Sequence, residues 1–416
     1  MVGRRDFMKG GLALVSIGTT AQSLLKGSVA FAAQNPRDVA PGKGNKILVL
    51  VQLFGGNDGL NTLIPIGDST YHSVRQTIGI ADDQALPLTG GFGLCPELKG
   101  VKGLWDAGHL AVVRGVGYPD QNYSHFRSMA IWEAGDPELK LDNGWLGRTL
   151  DQMESTQHDP FLGFAAGSSI PQEMIAQHTP VTAIGSAADY GFHVAGQPVD
   201  GADPRSQTLM KLYEQYPSNS PFGVLLETTA NDAVSSSKQL AAIHGTYTPA
   251  VQYPANAFGE GLSLLAEAIV GNLGMRVGHI TIGSFDTHVQ ETKRHSDLMT
   301  EFDQGITAFY NDLAAHNRQD DVLVLTWSEF GRRVAENANG GTDHGSASIM
   351  FALGSQVKQG LYADQPSLTQ LIDNGNLSFT TDFRSVYATV IDRWLGVPPD
   401  ALLGKAWPEL DFIPSA

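Results

Sequence analysis

A single cysteine, Cys95, stands in 416 residues. One thiol cannot close an internal disulfide, and it cannot hold an iron–sulfur cluster or a Cys-rich zinc site. Any metal must therefore be held by His, Asp, Glu or hydroxyl ligands. Positive charge is also scarce: 27 Lys and Arg stand against 43 Asp and Glu, a net charge of −16. A nucleic-acid binder needs a basic face to replace phosphate counterions, and attraction to anionic lipid needs the same. Both classes are disfavoured. Several catalytic signatures are missing as well: the Walker loop, Gly-x-Gly-x-x-Gly after a strand, Gly-x-Ser-x-Gly and His-Glu-x-x-His. There is no internal repeat and no long low-complexity tract.

What is present begins at the N-terminus. Arg4-Arg5-Asp6-Phe7-Met8-Lys9 sets a double arginine ahead of an aromatic, an apolar residue and a lysine. A modestly apolar run, 10–25, follows, and Ala30-Phe31-Ala32 offers small residues where a signal peptidase reads. These three features in this order predict a twin-arginine signal peptide over 1–32. The apolar run is too short and too polar for a spanning helix, which needs about 20 predominantly apolar residues. The expected partners during export are the twin-arginine translocase and signal peptidase, and the expected location is the periplasm or the cell surface. Removing 1–32 leaves 23 basic against 42 acidic residues, a charge of −19.

The rest of the chain alternates strands with helices. The run 46–54 (KILVLVQLF) predicts a strand buried on both faces, and 110–116 a second. Short strands are expected at 279–283, 321–326 and 348–353. Helices are expected at 98–105, 123–134 with Ser124 as cap, 257–273, 294–316 and 382–395. This pattern predicts an α/β fold, a three-layer α/β/α sandwich with a mostly parallel central sheet. The mature chain, 33–416, reads as one such domain. The stretch 150–255 is less regular and reads as an insertion or cap. Cys95, just before a predicted helix, reads as a small buried hydrophobe.

In open α/β sheets, sites form beyond the carboxyl ends of the strands. Here those ends carry Asn57 and Asp58, then Asp286 and His288, then Ser328, Glu329 and Arg332. Asp343 and His344 precede the strand at 348, and Ser124-His125 opens a helix whose N–H groups favour an anion. Each has a plainer reading: Asp58 as a turn residue, Ser124 as a helix cap, Glu329 and Arg332 as an ion pair, Asp343-His344 as a hydrogen-bonded loop. Together they crowd carboxylates at one edge, which raises pKa values and costs stability unless a cation is present. A divalent metal held by Asp, Glu and His resolves the crowding, zinc being one that suits such ligands.

Phe54-Gly55-Gly56-Asn57-Asp58-Gly59, Ser124-His125-Phe126, Phe285-Asp286-Thr287-His288, Ser328-Glu329-Phe330-Gly331-Arg332, Gly341-Thr342-Asp343-His344-Gly345 and Thr381-Asp382-Phe383-Arg384 resemble the signatures of a bacterial family, domain of unknown function 1501. Its members often carry twin-arginine signals. The family is distantly similar to the alkaline phosphatase and sulfatase superfamily, and the resemblance implies that fold. It implies Asp58 as a first metal ligand, Ser124 as nucleophile, Asp286 and His288 as a ligand pair, Glu329 as the carboxylate of a later strand and His344 as the final imidazole. Two departures stand out. The later strand ends Glu329-Phe330 and lacks the superfamily's imidazole, and Asp286 and His288 are only two apart. Cys95 stands where the family's pattern carries His, which leaves a role at the site open.

The reading that joins these residues is a metal-dependent hydrolase of phosphate or sulfate esters. Asp286, His288 and His344 would bind one metal, with Asp343 beside them. Asp58 and Glu329 would hold a second cation, and Arg332 or His125 would bind a small anionic ester. The alternative is an exported binding or assembly protein on the same scaffold without the chemistry.

Overall fold

The computed structural model describes residues 46–153, 159–185 and 238–415, with two short strands and isolated residues between 185 and 238. The signal peptide expected over 1–32 lies outside the described residues, as does much of 186–237.

Nine strands make the central sheet. In chain order they are β1 (Ile47–Leu53), β2 (Leu110–Gly117), β3 (Gly163–Ala166), β4 (Val181–Ile184), β5 (Val277–Ile282), β6 (Val322–Trp327), β7 (Ser348–Leu353), β8 (Gly360–Tyr362) and β9 (Thr381–Asp382). Their spatial order is β8-β2-β7-β6-β1-β5-β3-β4, with β9 beside the end of β2. All pairings are parallel except the two made by β7, which runs against both β6 and β2. β1 lies in the middle and every one of its seven residues is buried. A strand covered on both faces has no polar side, which is why 47–53 reads as an unbroken apolar run.

Helices cover both faces. On one side Val49, Val51 and Leu53 pack with Leu104 of α1 (Lys99–Asp106), Leu262 and Leu265 of α4 (Ala257–Val270) and Phe302 and Ile306 of α5 (Glu291–Ala315). On the other, Leu48 and Leu50 pack with Trp132 of α2 (His125–Ala134), Trp145 and Leu150 of α3 (Trp145–Met153) and Val386 and Tyr387 of α6 (Phe383–Thr389). The architecture is thus the α/β/α sandwich, with a mostly parallel sheet, that the periodicity predicts. No described helix is long and apolar enough to cross a membrane.

Two details differ from the sequence reading. The stretch from 150 onward is not only an appendage, because it supplies β3 and β4 to one edge of the central sheet. These strands are four residues each, too short for periodicity to register. The last helix is also not uniform: α6 stops at Thr389 and a π-helical turn continues over Val390–Trp394. Cys95 is free and fully buried, and burial pushes its thiol pKa well up, so it packs as a hydrophobe.

Candidate metal centre

Parallel strands deliver their carboxyl ends to one edge, and the loops that leave them meet there. After β1 comes the turn at Gly55 and Gly56, both with positive φ, 122° and 86°. A Cβ at Gly55 would strike the backbone of Phe285 and Asp286, and one at Gly56 would strike the Phe330 ring. Glycine is therefore what lets the β1 loop lie against the loops after β5 and β6. After β5, Ser284 and Gln290 hold left-handed backbone on either side of Asp286 and His288, a strain typical of functional loops. His344 arrives by a different route. It precedes β7, and because β7 is antiparallel its beginning lies at the edge where the other strands end.

Asp286 is the hub. Its Oδ1 is 3.1 Å from His288 Nε2 and 3.2 Å from His344 Nε2, and its Oδ2 is 3.6 Å from His125 Nε2. The Nε2 atoms of His288 and His344 are 2.9 Å apart. Donor atoms of His125, Asp286 and His344 all lie within 4.8 Å of one another. Ligands at about 2.1 Å from a tetrahedral cation stand roughly 3.4 Å apart, so these separations suit convergence on one ion.

The far nitrogen of each ring is also engaged. His125 Nδ1 is 2.7 Å from Glu329 Oε1, His344 Nδ1 is 2.7 Å from the Tyr123 carbonyl, and His288 Nδ1 is 3.5 Å from Asp343 Oδ1. A carbonyl only accepts, so His344 Nδ1 carries the hydrogen and Nε2 keeps its lone pair for the centre. Outer oxygens that fix ring tautomers in this way are the usual second layer of a histidine metal site. The donor set of His125, Asp286 and His344, with His288 alongside Asp286 and His344, suits a divalent cation such as zinc.

The electrostatics agree. Burial alone would raise the Asp286 carboxyl, but Arg332 and the two imidazoles hold it down at about 2. The hydrogen bond to Glu329 raises the pKa of His125 against the opposing effect of burial. Burial lowers that of His344, helped by the positive charges of Arg332 and His125. Phe330 packs its ring on both, with centroids 4.9 Å from His125 and 4.5 Å from His344.

Several expected roles fall elsewhere. Asp58 is fully buried, and both of its oxygens meet the guanidinium of Arg75. Arg75 stands where a cation was expected, so Asp58 has no oxygen free for a metal. Glu329 sits behind His125, bonded also to the Gly55 amide at 2.9 Å, and orients the ring without facing the centre. Asp343 likewise lies behind His288 and also faces Arg333. The guanidinium of Arg332 is buried and turned onto the carbonyls of Gly55, Gly56, Phe285 and Thr342 as well as Asp286. It ties the three loops together and is not presented to a substrate. His125, expected to bind an anion, instead contributes a donor to the centre. Ser124 is exposed at the head of α2, and its side chain makes no cap hydrogen bond.

The sequence reading missed Tyr123 and Arg75. Tyr123 acts through its carbonyl, which every residue has. Arg75 is one arginine among many, following a short helix, Ser69–Val74.

No curated protein matches this chain. Solved structures that it resembles include the lipoteichoic acid synthase LtaP from Listeria monocytogenes, with 10% identity over 89% of this chain and 74% of that one and a TM-score of 0.37. The PsFucS1 sulfatase from Pseudoalteromonas sp. is similar at 12% identity over 85% and 68%, TM-score 0.38. A protein in the alkaline phosphatase superfamily from Vibrio parahaemolyticus is similar at 7% identity over 87% and 69%, TM-score 0.36. These likenesses are distant, and the chemistry of the centre rests on its own side chains. The sequence pattern described as Protein of unknown function (DUF1501) matches residues 109–403, most of the chain, and the chain belongs to that family.

Proposed function

We propose that this chain is an exported, metal-dependent hydrolase of phosphate or sulfate esters. The observation that carries the reading is the convergence of three imidazole Nε2 atoms on the carboxylate of Asp286, with an oxygen facing the far nitrogen of each ring. His125, Asp286, His288 and His344 would hold the cation. Such an ion, when bound, lowers the pKa of a coordinated oxygen and offsets charge on the transferring group.

The chain's own residues do the rest. Arg332 fixes Asp286, and Glu329 and Tyr123 fix the ring planes of His125 and His344. Ser124 lies between Tyr123 and His125, with its hydroxyl free of the helix cap. We assign to it the attack on an ester held at the centre, because it is the hydroxyl next in the chain to His125. The signal at Arg4-Arg5 supports export through the twin-arginine translocase, followed by cleavage after Ala32 and a periplasmic or surface location. Lysine at both positions keeps the charge but loses the guanidinium fork, so that double variant should remain in the cytoplasm.

Hydrolysis of phosphate and sulfate monoesters with added zinc or manganese tests the activity. Ser124→Ala should keep its metal and lose turnover. Unchanged turnover would exclude Ser124 as nucleophile, and a wild type inert on every ester would overturn the hydrolase reading. One observation favours a binding protein instead: Arg75 occupies Asp58 and His125 occupies Glu329, the two carboxylates expected to hold a second cation. Tight metal binding without hydrolysis would select that reading.

A further inference from the structure

The loop that leads into α2 serves the centre with consecutive residues: the Tyr123 carbonyl holds His344, and His125 contributes its ring. The backbone on either side of Tyr123 is fixed locally. The Asn122 amide donates to the Tyr118 hydroxyl at 3.1 Å, and the Ser124 amide donates to Asn122 Oδ1 at 2.9 Å. The Tyr123 side chain is held from far along the chain. Two short strands, Leu371–Ile372 and Asn376–Leu377, pair antiparallel. Asp373 Oδ2 accepts from the Tyr123 hydroxyl at 2.8 Å, and Asn376 Nδ2 donates to the same oxygen at 2.9 Å.

This hairpin is built for that grip. Its tip, Asp373, Asn374 and Gly375, holds positive φ of 44°, 62° and 122°, a backbone that Asp, Asn and Gly tolerate best. Asn376 Nδ2 also donates to the Asp373 carbonyl at 3.0 Å, so one amide closes the tip and meets the phenol. The hairpin is fastened to the two segments that carry the centre. The Val334 amide donates to the Gly375 carbonyl at 3.1 Å, and the Ser346 hydroxyl donates to the Leu377 carbonyl. Each lies just beyond a member of the bridge between Arg332 and His344. Asn376 is fully buried, yet its Oδ1 has no hydrogen-bond partner among the described residues. An apolar side chain of that shape would leave no acceptor unpaired, so the asparagine is explained by what its amide donates to.

We infer that Tyr123, Asp373 and Asn376 form a clasp that positions the metal centre. The hairpin holds the phenol, the phenol holds the peptide at 123, and the carbonyl of that peptide keeps the His344 ring with Nε2 toward Asp286. All three are positioning residues, since they act on the centre only through His344. The inference rests on the metal-centre reading above and adds a layer behind it. Asn376 is its stronger arm, because Asp373 is exposed and water competes for its bond.

Tyr123→Phe removes the hydroxyl and leaves the ring and the carbonyl, and two readouts on the whole protein test it. In metal-free protein, NMR follows exchange of the His344 Nδ1 proton with water, which reports the bond to the Tyr123 carbonyl. That exchange should quicken roughly tenfold in Tyr123→Phe and in Asn376→Ala. The second readout is zinc affinity against a competing chelator. Outer partners of a ligating imidazole are worth about 10- to 100-fold, and the phenol stands one step behind, so Tyr123→Phe should lose roughly 3- to 10-fold. The double variant should be no worse than Asn376→Ala alone, because both changes act through one hydroxyl. Tyr310→Phe, which removes a phenol bonded at 2.6 Å to His109, controls for general loosening and should move neither readout. A wild type that binds no zinc but shows the change in proton exchange would sink the metal reading and keep the clasp. Proton exchange unchanged in both variants would overturn the clasp. So would zinc affinity unchanged by Tyr123→Phe in a wild type that binds zinc, losses that multiply in the double variant, or a Tyr310→Phe that matches Tyr123→Phe.

Discussion

Two clusters of acidic and basic side chains flank the loop after β1, and they have opposite characters. Asp58, Arg75, Glu291 and His295 are all fully buried. Arg75 grips Asp58 with two nitrogens and gives its remaining hydrogen bonds to Asn61 and to the carbonyls of Val334 and Arg333. Burial, reinforced by the Asp58 charge, pushes Glu291 up to about 9, so it stays protonated and bonds Thr342. Burial lowers His295. Every charge there is cancelled or suppressed by the protein itself. Asp286, His125, His288 and His344, by contrast, are half-exposed, and the guanidinium of Arg332 takes only Oδ1 of Asp286, leaving Oδ2 beside His125. The same residue types make a closed structural knot in one place and an open centre in the other. What separates them is burial and whether the arginine takes both oxygens of the aspartate or one.

The comparison breaks most visibly at Arg75. Arg75→Met leaves Asp58 buried and unpaired, which costs about 3–5 kcal/mol, measured by urea unfolding. Adding Asp58→Asn to it should recover most of the loss. A double variant as unstable as the single one would show that the pair is not what holds the knot together.

Glu329 sharpens the boundary between the two kinds of site, because it is fully buried yet serves the open centre. Glu329→Gln should weaken zinc binding roughly 10- to 100-fold through loss of its hold on His125. A titration against a competing chelator reads this, and an unchanged affinity would remove Glu329 from the site.

The smallest effect is expected at Glu133 on α2, whose carboxyl is raised to about 8 by burial first and then by the charges of Glu173 and Glu329. In the unfolded chain it ionises near its ordinary value of about 4.5, whereas the folded protein keeps the proton. Between those pH values the unfolded state binds fewer protons, so this group's contribution to stability falls as pH rises from about 4.5 to about 8. Glu133→Gln should therefore raise Tm at pH 8 and leave it nearly unchanged at pH 4. An equal shift at both would point to packing.

How much of this was legible depended on the physical signal each feature leaves. β1 was plain because burial on both faces demands an apolar run, and α5 because its buried Leu298, Phe302, Ile306 and Phe309 recur at helical spacing. The edge that carries the centre followed from topology. His344 reached it for a reason that sequence does not display, namely that β7 runs antiparallel. The division of labour among carboxylates was not legible. Asp286, Glu329 and Asp343 all stand in loops at the same edge, and only side-chain direction decides which faces the centre and which backs a ring. Asp58 was misjudged because its partner, Arg75, lies 17 residues on with nothing in its surroundings to mark it.

The central claim is that His125, Asp286, His288 and His344 form one metal-holding centre. Elemental analysis of the protein, purified without chelator, beside His344→Ala tests it most directly. About one divalent ion per chain is predicted for the wild type. The variant should hold almost none, while with chelator present in both samples its unfolding free energy stays within roughly 1 kcal/mol of the metal-free wild type, since His344 is only partly buried. Equal metal in both proteins, or a wild type reproducibly free of metal after refolding with zinc, would contradict the claim.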